Sequence, residues 1–219
     1  RSGGVRHLTL VAPYLCYMRQ DTAFHPGEAI SQRVIGRWLA EWFDSLVTVD
    51  PHLHRVASLQ AVVPVAHAQV LTASEEMAGW LQRDVRDPLL VGPDAESRQW
   101  VAAISAYQQV DFCIASKQRS GDRQVQVSLP ECEVRGRDVV IVDDMVSSGA
   151  TLMATIEQLQ PLAPASLRVM VVHALFSEQV LARLHDAGVT EVISCDSVIH
   201  DTNRIELAGL LATGLADII

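Results

Sequence analysis

Residues 139–151, VVIVDDMVSSGAT, gather the groups that could hold a sugar phosphate. Four apolar residues read as a buried strand. Asp143 and Asp144 follow, then Met145 and Val146, then Ser147, Ser148, Gly149, Ala150 and Thr151 at the start of a helical segment. Ligands of open α/β sheets bind beyond the carboxyl ends of strands. A Ser/Gly/Thr turn entering a helix presents backbone N–H groups to a phosphate. Two adjacent carboxylates can accept hydrogen bonds from vicinal hydroxyls. A phosphate at one end and a diol at the other describe a ribose phosphate. Acidic residues at a strand end are common as plain caps; the whole arrangement is far rarer than its parts.

Other residues could add chemistry. Lys117 and Arg119 stand two apart in a segment read as a loop, followed by Gly121, Asp122 and Arg123. Alone they are an ordinary exposed pair, but two cations on a loop can stabilise charge on transferring oxygens. His52 and His54 form an HxH pair, with no Cys or third His at a convincing zinc spacing. Asp50 reads equally as a strand-end cap or a ligand. His7, His67 and His173 read as structural. Trp38, Trp42, Trp80 and Trp100 lie on helical segments and read as packing.

The elements that must position these groups alternate. Short apolar runs at 8–12, 46–49, 89–91, 112–115, 139–142, 169–173 and 191–194 suit strands of a parallel sheet covered by helices. Between them, 29–43, 68–82, 96–107, 151–159 and 178–186 carry helical period, and 206–219 suits a final helix. In the first helical segment Ile30, Val34, Ile35, Trp38, Leu39 and Phe43 form one apolar stripe. The pattern predicts an α/β protein with a boundary near residues 62–68.

Bulk properties narrow the function. The chain has 219 residues, 49% apolar, and a net charge of −9 with no long basic run. That excludes grip on nucleic acid through its phosphates but permits a locally positive pocket for a small anion. No apolar run approaches a membrane span, and no signal peptide is visible. Four cysteines, Cys16, Cys113, Cys132 and Cys195, contain no CxxC pair and read as reduced thiols of a cytoplasmic protein. The chain opens at Arg1 on what reads as an interior strand, as though its beginning were absent.

Several segments resemble one family, the ribose-phosphate pyrophosphokinases (PRPP synthetases), beyond the ribose-phosphate run itself. PYLCYMRQD at 13–21 with FHPGEAIS at 24–31 is similar to the family's PYxxYxRQDxxFxPGExIS segment. TVDPH at 48–52, GPDA at 92–95 and KQRSGDR at 117–123 resemble its strand end, its pyrophosphate loop and its catalytic loop. The resemblance implies two phosphoribosyltransferase-like domains with mostly parallel sheets flanked by helices. Residues 1–65 would be the remainder of an incomplete first domain, 66–205 the second, and 206–219 a helix packing on the first. It implies transfer of the β,γ-diphosphoryl group of ATP to the anomeric hydroxyl of ribose 5-phosphate, giving PRPP and AMP with Mg2+, in a homo-oligomer. Position by position, Asp143 and Asp144 would hold the ribose hydroxyls, and Ser147, Ser148, Gly149, Ala150 and Thr151 would wrap the 5-phosphate. Arg19, Gln20 and Asp21 would contact ATP, which would explain a nucleotide user without a P-loop. His52 and Asp94 would meet magnesium or its waters. Lys117 and Arg119 would close over the β-phosphorus. The chain departs from the family at Thr22, at Glu96 and Ser97, and at Ser147. A catalytically weak regulatory subunit of the same fold and an ordinary phosphoribosyltransferase remain as alternatives.

Overall fold

The computed structural model describes residues 3–23, 25–120 and 124–218. They divide into two compact units, residues 1–73 with 207–219, and residues 74–206. In chain order the first unit has β1 (Thr9–Ala12), α1 (Ser31–Trp42), β2 (Ser45–Val49) and β3 (His67–Leu71). The second has α2 (Ser74–Asp84), β4 (Leu89–Gly92), α3 (Arg98–Gln108), β5 (Phe112–Ile114), β6 (Ser116–Ser120), β7 (Gln124–Ser128), β8 (Asp138–Val146), α4 (Ala150–Leu159), β9 (Ser166–Ala174), α5 (Glu178–Asp186), β10 (Glu191–Cys195) and β11 (Asn203–Ile205). Helix α6 (Ala208–Ala216) returns to the first unit.

Each unit is built on a parallel sheet. The first orders its strands β1-β2-β3, and every residue of β2 is buried. The second orders six strands β11-β10-β9-β8-β4-β5, all parallel. Its centre reads as continuous Val, Ile and Leu because helices cover both faces. Val139, Val140, Ile141 and Val142 are wholly buried, as are Val169, Met170, Val171 and Val172. Strand β4 comes first and β5 lies outside it. The chain then re-enters on the other side of β4 with β8. The order therefore reverses between β4 and β8, and crevices at such switch points are where open α/β sheets take ligands.

Two expectations change. The helix expected over 68–82 begins only at Ser74, because His67–Leu71 pairs in parallel with β2. The compact units divide after Ala73. The stripe on α1 is also rotated. Gln32, Gly36 and Leu39 face inward, while Val34, Trp38 and Trp42 are 55%, 54% and 59% exposed. The reason is Gly36: a Cβ there would stand 2.1 Å from the Val62 carbonyl oxygen, so the helix turns its bare side to that backbone. Only Trp80 and Trp100 are core residues among the four tryptophans.

Candidate active site

The site residues of the second unit collect at the carboxyl ends of β4 and β8. Strand β8 is longer than its apolar run and carries Asp143 and Asp144 within it. Asp143 is half-buried and Asp144 only 4% exposed. The strand backbone turns onto their carboxylates: the Asp144 N–H donates to Asp143 Oδ1 at 3.0 Å, and the Met145 N–H to Asp144 Oδ1 at 2.7 Å. Burial holds the Asp143 carboxyl well above the usual carboxylate range, and the neighbouring Asp144 and Asp94 carboxylates push it the same way.

Beyond β8 the chain makes an exposed turn through Ser147 and Ser148 and enters α4. Gly149 is the N-cap, with φ +74° and no side-chain cap bond. A Cβ there would meet Val180 Cγ1 at 2.9 Å, so the turn needs glycine for both conformation and space. The first-turn N–H groups of a helix have no intrahelical acceptor, and here they open beside an exposed serine turn. Such N–H groups at a helix start favour an anion. Across the switch point β4 ends at Gly92, whose missing Cβ makes room for Ser97 Oγ and Ile114 Cδ1, at 2.4 and 2.6 Å from its place. The turn that follows holds Asp94: its Oδ1 accepts from the Glu96 N–H at 3.0 Å, and its carbonyl from Ser97 Oγ at 2.6 Å.

The segment of Lys117 and Arg119, expected as a loop, is strand β6 of an antiparallel hairpin with β7. The alternation Gln124-Val125-Gln126-Val127 is the period-two signal that announces it. Strand β7 runs beside α4, the helix that follows the phosphate turn. Gly121, Asp122 and Arg123 lie outside the described residues, as do the side chains of Lys117 and Arg119.

In the first unit Arg19 is exposed and Gln20 is a fastener. The Gln20 amide donates to the Ala29 carbonyl at 3.2 Å and accepts from Ser31 Oγ, fixing the entry to α1. Asp21 is buried, its side chain 1% exposed, and Arg55 Nη1 donates to its Oδ1 at 2.7 Å. Its Oδ2 has no hydrogen-bond partner among the described residues. His52 and His54 pack edge to face, with His54 Nε2 3.1 Å from His52 Nδ1. Asp50, in the left-handed region at φ 39°, caps the end of β2 by accepting from the Ala73 N–H at 2.8 Å. Phe24 lies outside the described residues.

Residues 65–208 match the phosphoribosyl transferase domain family. Over 205 residues the chain is 31% identical to ribose-phosphate pyrophosphokinase 2 of Archaeoglobus fulgidus, covering 94% of this chain and 73% of that protein. Its identity to the ribose-phosphate pyrophosphokinase of Halobacterium salinarum is also 31%, over 98% of this chain and 75% of the relative. The chain belongs to the ribose-phosphate pyrophosphokinase family. It spans about three quarters of the length of these relatives. The crystal structure of phosphoribosylpyrophosphate synthetase from Mycobacterium smegmatis shares its fold, with a TM-score of 0.81 at 23% identity over 99% of this chain and 73% of that one.

Within the second unit the fold brings Asp94, Asp143, Asp144 and the 147–151 turn to the carboxyl ends of β4 and β8. It also exposes a residue that pattern reading passes over, Arg55, whose guanidinium neutralises Asp21. An arginine three residues beyond His52 in a non-periodic stretch carries no signal of its own; only the buried acid it meets gives it a role. His7 and His173 bond Ser45 and Ser197 at 2.8 Å, as structural histidines do.

Proposed function

We propose that this pyrophosphokinase chain transfers the β,γ-diphosphoryl group of ATP to the anomeric hydroxyl of ribose 5-phosphate, releasing AMP and PRPP. The observation that carries this reading is the position of 143–151 at the β4/β8 switch point, with paired acids on the strand and an N–H-lined glycine turn after it. The turn from Ser147 to Thr151 takes the 5-phosphate. Asp143 and Asp144 take the ribose hydroxyls, Asp143 more directly because Asp144 is buried. Arg19 contacts the nucleotide. Gln20 and Asp21 hold the turn that presents it, since both side chains are engaged within the first unit.

In phosphoryl transfer the protein mainly positions groups and neutralises charge. Lys117 and Arg119 supply cations for the transferring oxygens, on a hairpin rooted at the ends of β5 and β7. Magnesium is the family's implied cofactor, and the second unit fits a hard cation. Asp94 offers oxygen ligands, and burial together with the neighbouring Asp144 and Asp94 carboxylates raises the Asp143 pKa above its ordinary range. Bound there, magnesium would supply charge neutralisation for the substrate's phosphates. In the first unit His52 is the proposed magnesium contact, through water, since imidazole is an unusual direct ligand for this ion. A homo-oligomer in the cytoplasm completes the proposal; among the described residues no helix is long and apolar enough to cross a membrane.

The test is an assay of the full-length protein with ATP, magnesium and ribose 5-phosphate. AMP and PRPP should appear in equal amounts. Ribose 5-phosphate binding without AMP, at any concentration of inorganic phosphate, would overturn the reading in favour of a non-catalytic subunit.

A further inference from the structure

Cys113 and Cys132 lie 19 residues apart in sequence, with their sulfurs 3.0 Å apart. Cys113 is buried in β5, and Cys132 is half-buried in the segment after β7. Strands β6 and β7 lie between them in the chain. Both thiols belong to the apolar cluster that includes Val134 and Leu129, so core packing fixes the pair at the root of the hairpin. Neither sulfur has a part in the chemistry proposed above. Sulfurs in a disulfide are about 2.05 Å apart, so bonding asks for roughly 1 Å of approach.

We propose that Cys113 and Cys132 are a reversible dithiol–disulfide pair, oxidised by exchange with a low-molecular-weight disulfide, that ties together the two roots of the hairpin. The more accessible Cys132 thiolate attacks one sulfur of the small disulfide, whose S–S bond breaks and releases one small thiolate. Cys113 then loses its proton to solvent and attacks Cys132 Sγ. The mixed S–S bond breaks and the second small thiolate leaves. Two protein thiols are oxidised to one disulfide, one small disulfide is reduced to two thiols, and the two protons end on those thiols. Burial pushes the Cys113 thiol up, so the second step is the slow one and quickens with rising pH. A closed ring across the hairpin root restricts where β6 can carry Lys117 and Arg119. This consequence, unlike the bond itself, rests on the function proposed above.

The bond is tested on full-length protein with oxidised glutathione at about pH 8.5, where thiolate is available, followed by acid quench and non-reducing peptide mapping. The expected product is a peptide pair linked through Cys113 and Cys132. It should vanish with dithiothreitol and be absent from both Cys132→Ser and Cys132→Ala. Glutathione adducts on the exposed Cys16 and on Cys132, with no linked pair, would overturn the proposal. A second arm compares AMP release before and after oxidation. A fall of about 10- to 100-fold, the scale of a small misplacement of catalytic groups, restored by dithiothreitol and missing in Cys132→Ser, supports the tie. An unchanged rate in protein that carries the linked pair refutes it. If reduced protein releases no AMP, the proposed function fails, while the linked peptide still decides the cysteine pair.

Discussion

The two ends of the second unit's sheet treat their acids in opposite ways. At the amino ends acid meets base. Arg137, one residue before β8, donates to Asp111 at 2.8 Å and Asp87 at 3.2 Å, reaching the starts of β5 and β4, and also bonds the Pro88 carbonyl at 3.4 Å. Arg168 of β9 stands 3.6 Å from Asp138 and 3.5 Å from Glu191, at the starts of β8 and β10. At the carboxyl ends acid meets acid, and Asp143 is held protonated above its usual range by burial, Asp144 and Asp94. Nothing in strand packing requires three carboxylates there, and like charges brought together cost stability. A protein keeps such a cost where a ligand or cation repays it. One end of the sheet pairs acids with arginines, and the other crowds acids together, where the proposed function puts the chemistry.

Substitutions at the two ends should separate activity from stability. The largest effect is expected on the hairpin that leaves the carboxyl end of β5. Lys117→Ala should lower the rate of AMP release by about 100- to 1,000-fold, the usual loss for one donor to transferring oxygens. Its thermal midpoint should stay within about 2 °C of the parent if its role is in turnover and not in packing. A large drop in the midpoint would instead make the hairpin structural. Next comes Asp143→Asn. Loss of a carboxyl hydrogen-bonding group for the sugar should cut kcat/KM for ribose 5-phosphate by about 10-fold, with the KM for ATP little changed. Equal losses for both substrates would remove Asp143 from the sugar site.

Arg137→Ala at the opposite end should reverse the pattern. Its ion partners are exposed, so each pair is worth little. Together with the lost carbonyl bond, about 1–2 kcal/mol of stability should go, read as a lower midpoint in urea. Turnover at a temperature where the variant is folded should stay within about twofold. A rate loss matching that of Asp143→Asn would dissolve the distinction between the ends.

The same contrast explains what the sequence could and could not announce. Strands buried on both faces are legible as runs, and β2, β4, β8, β9 and β10 stand where their Val-rich stretches lie. The turn at 147–151 is legible as a turn because serine and glycine between a strand and a helical segment mark one. Strand β3 was hidden because His67-Ala68-Gln69-Val70-Leu71 mixes exposed and half-buried positions at a sheet edge, and its apolar content merges with the helix behind it. The orientation of α1 was hidden because one backbone approach at Gly36 outweighs the apolar stripe; a hydrophobic pattern records side chains, not the space a missing one creates. The pairings of Arg137 with Asp111, Arg55 with Asp21, and Cys113 with Cys132 join residues far apart in the chain, so spacing carries no trace of them.

The finest test of the contrast is the pH dependence of stability. The folded state raises the Asp143 pKa above its unfolded value. Between the two values the folded chain binds more protons than the unfolded chain, so stability falls as pH rises through that window. The contribution is fully present below the unfolded carboxylate range and is lost once pH exceeds the raised folded value. Asp143→Asn keeps the shape of the side chain and removes the titration. Its midpoint should equal the parent's at low pH and exceed it at neutral pH. Magnesium added at neutral pH should narrow that gap, because a cation among the acids relieves the parent and has less to relieve in the variant. A parent whose stability instead rises across the same window, relative to Asp143→Asn, would mean that Asp143 is already matched by a positive partner, as the acids at the amino ends are.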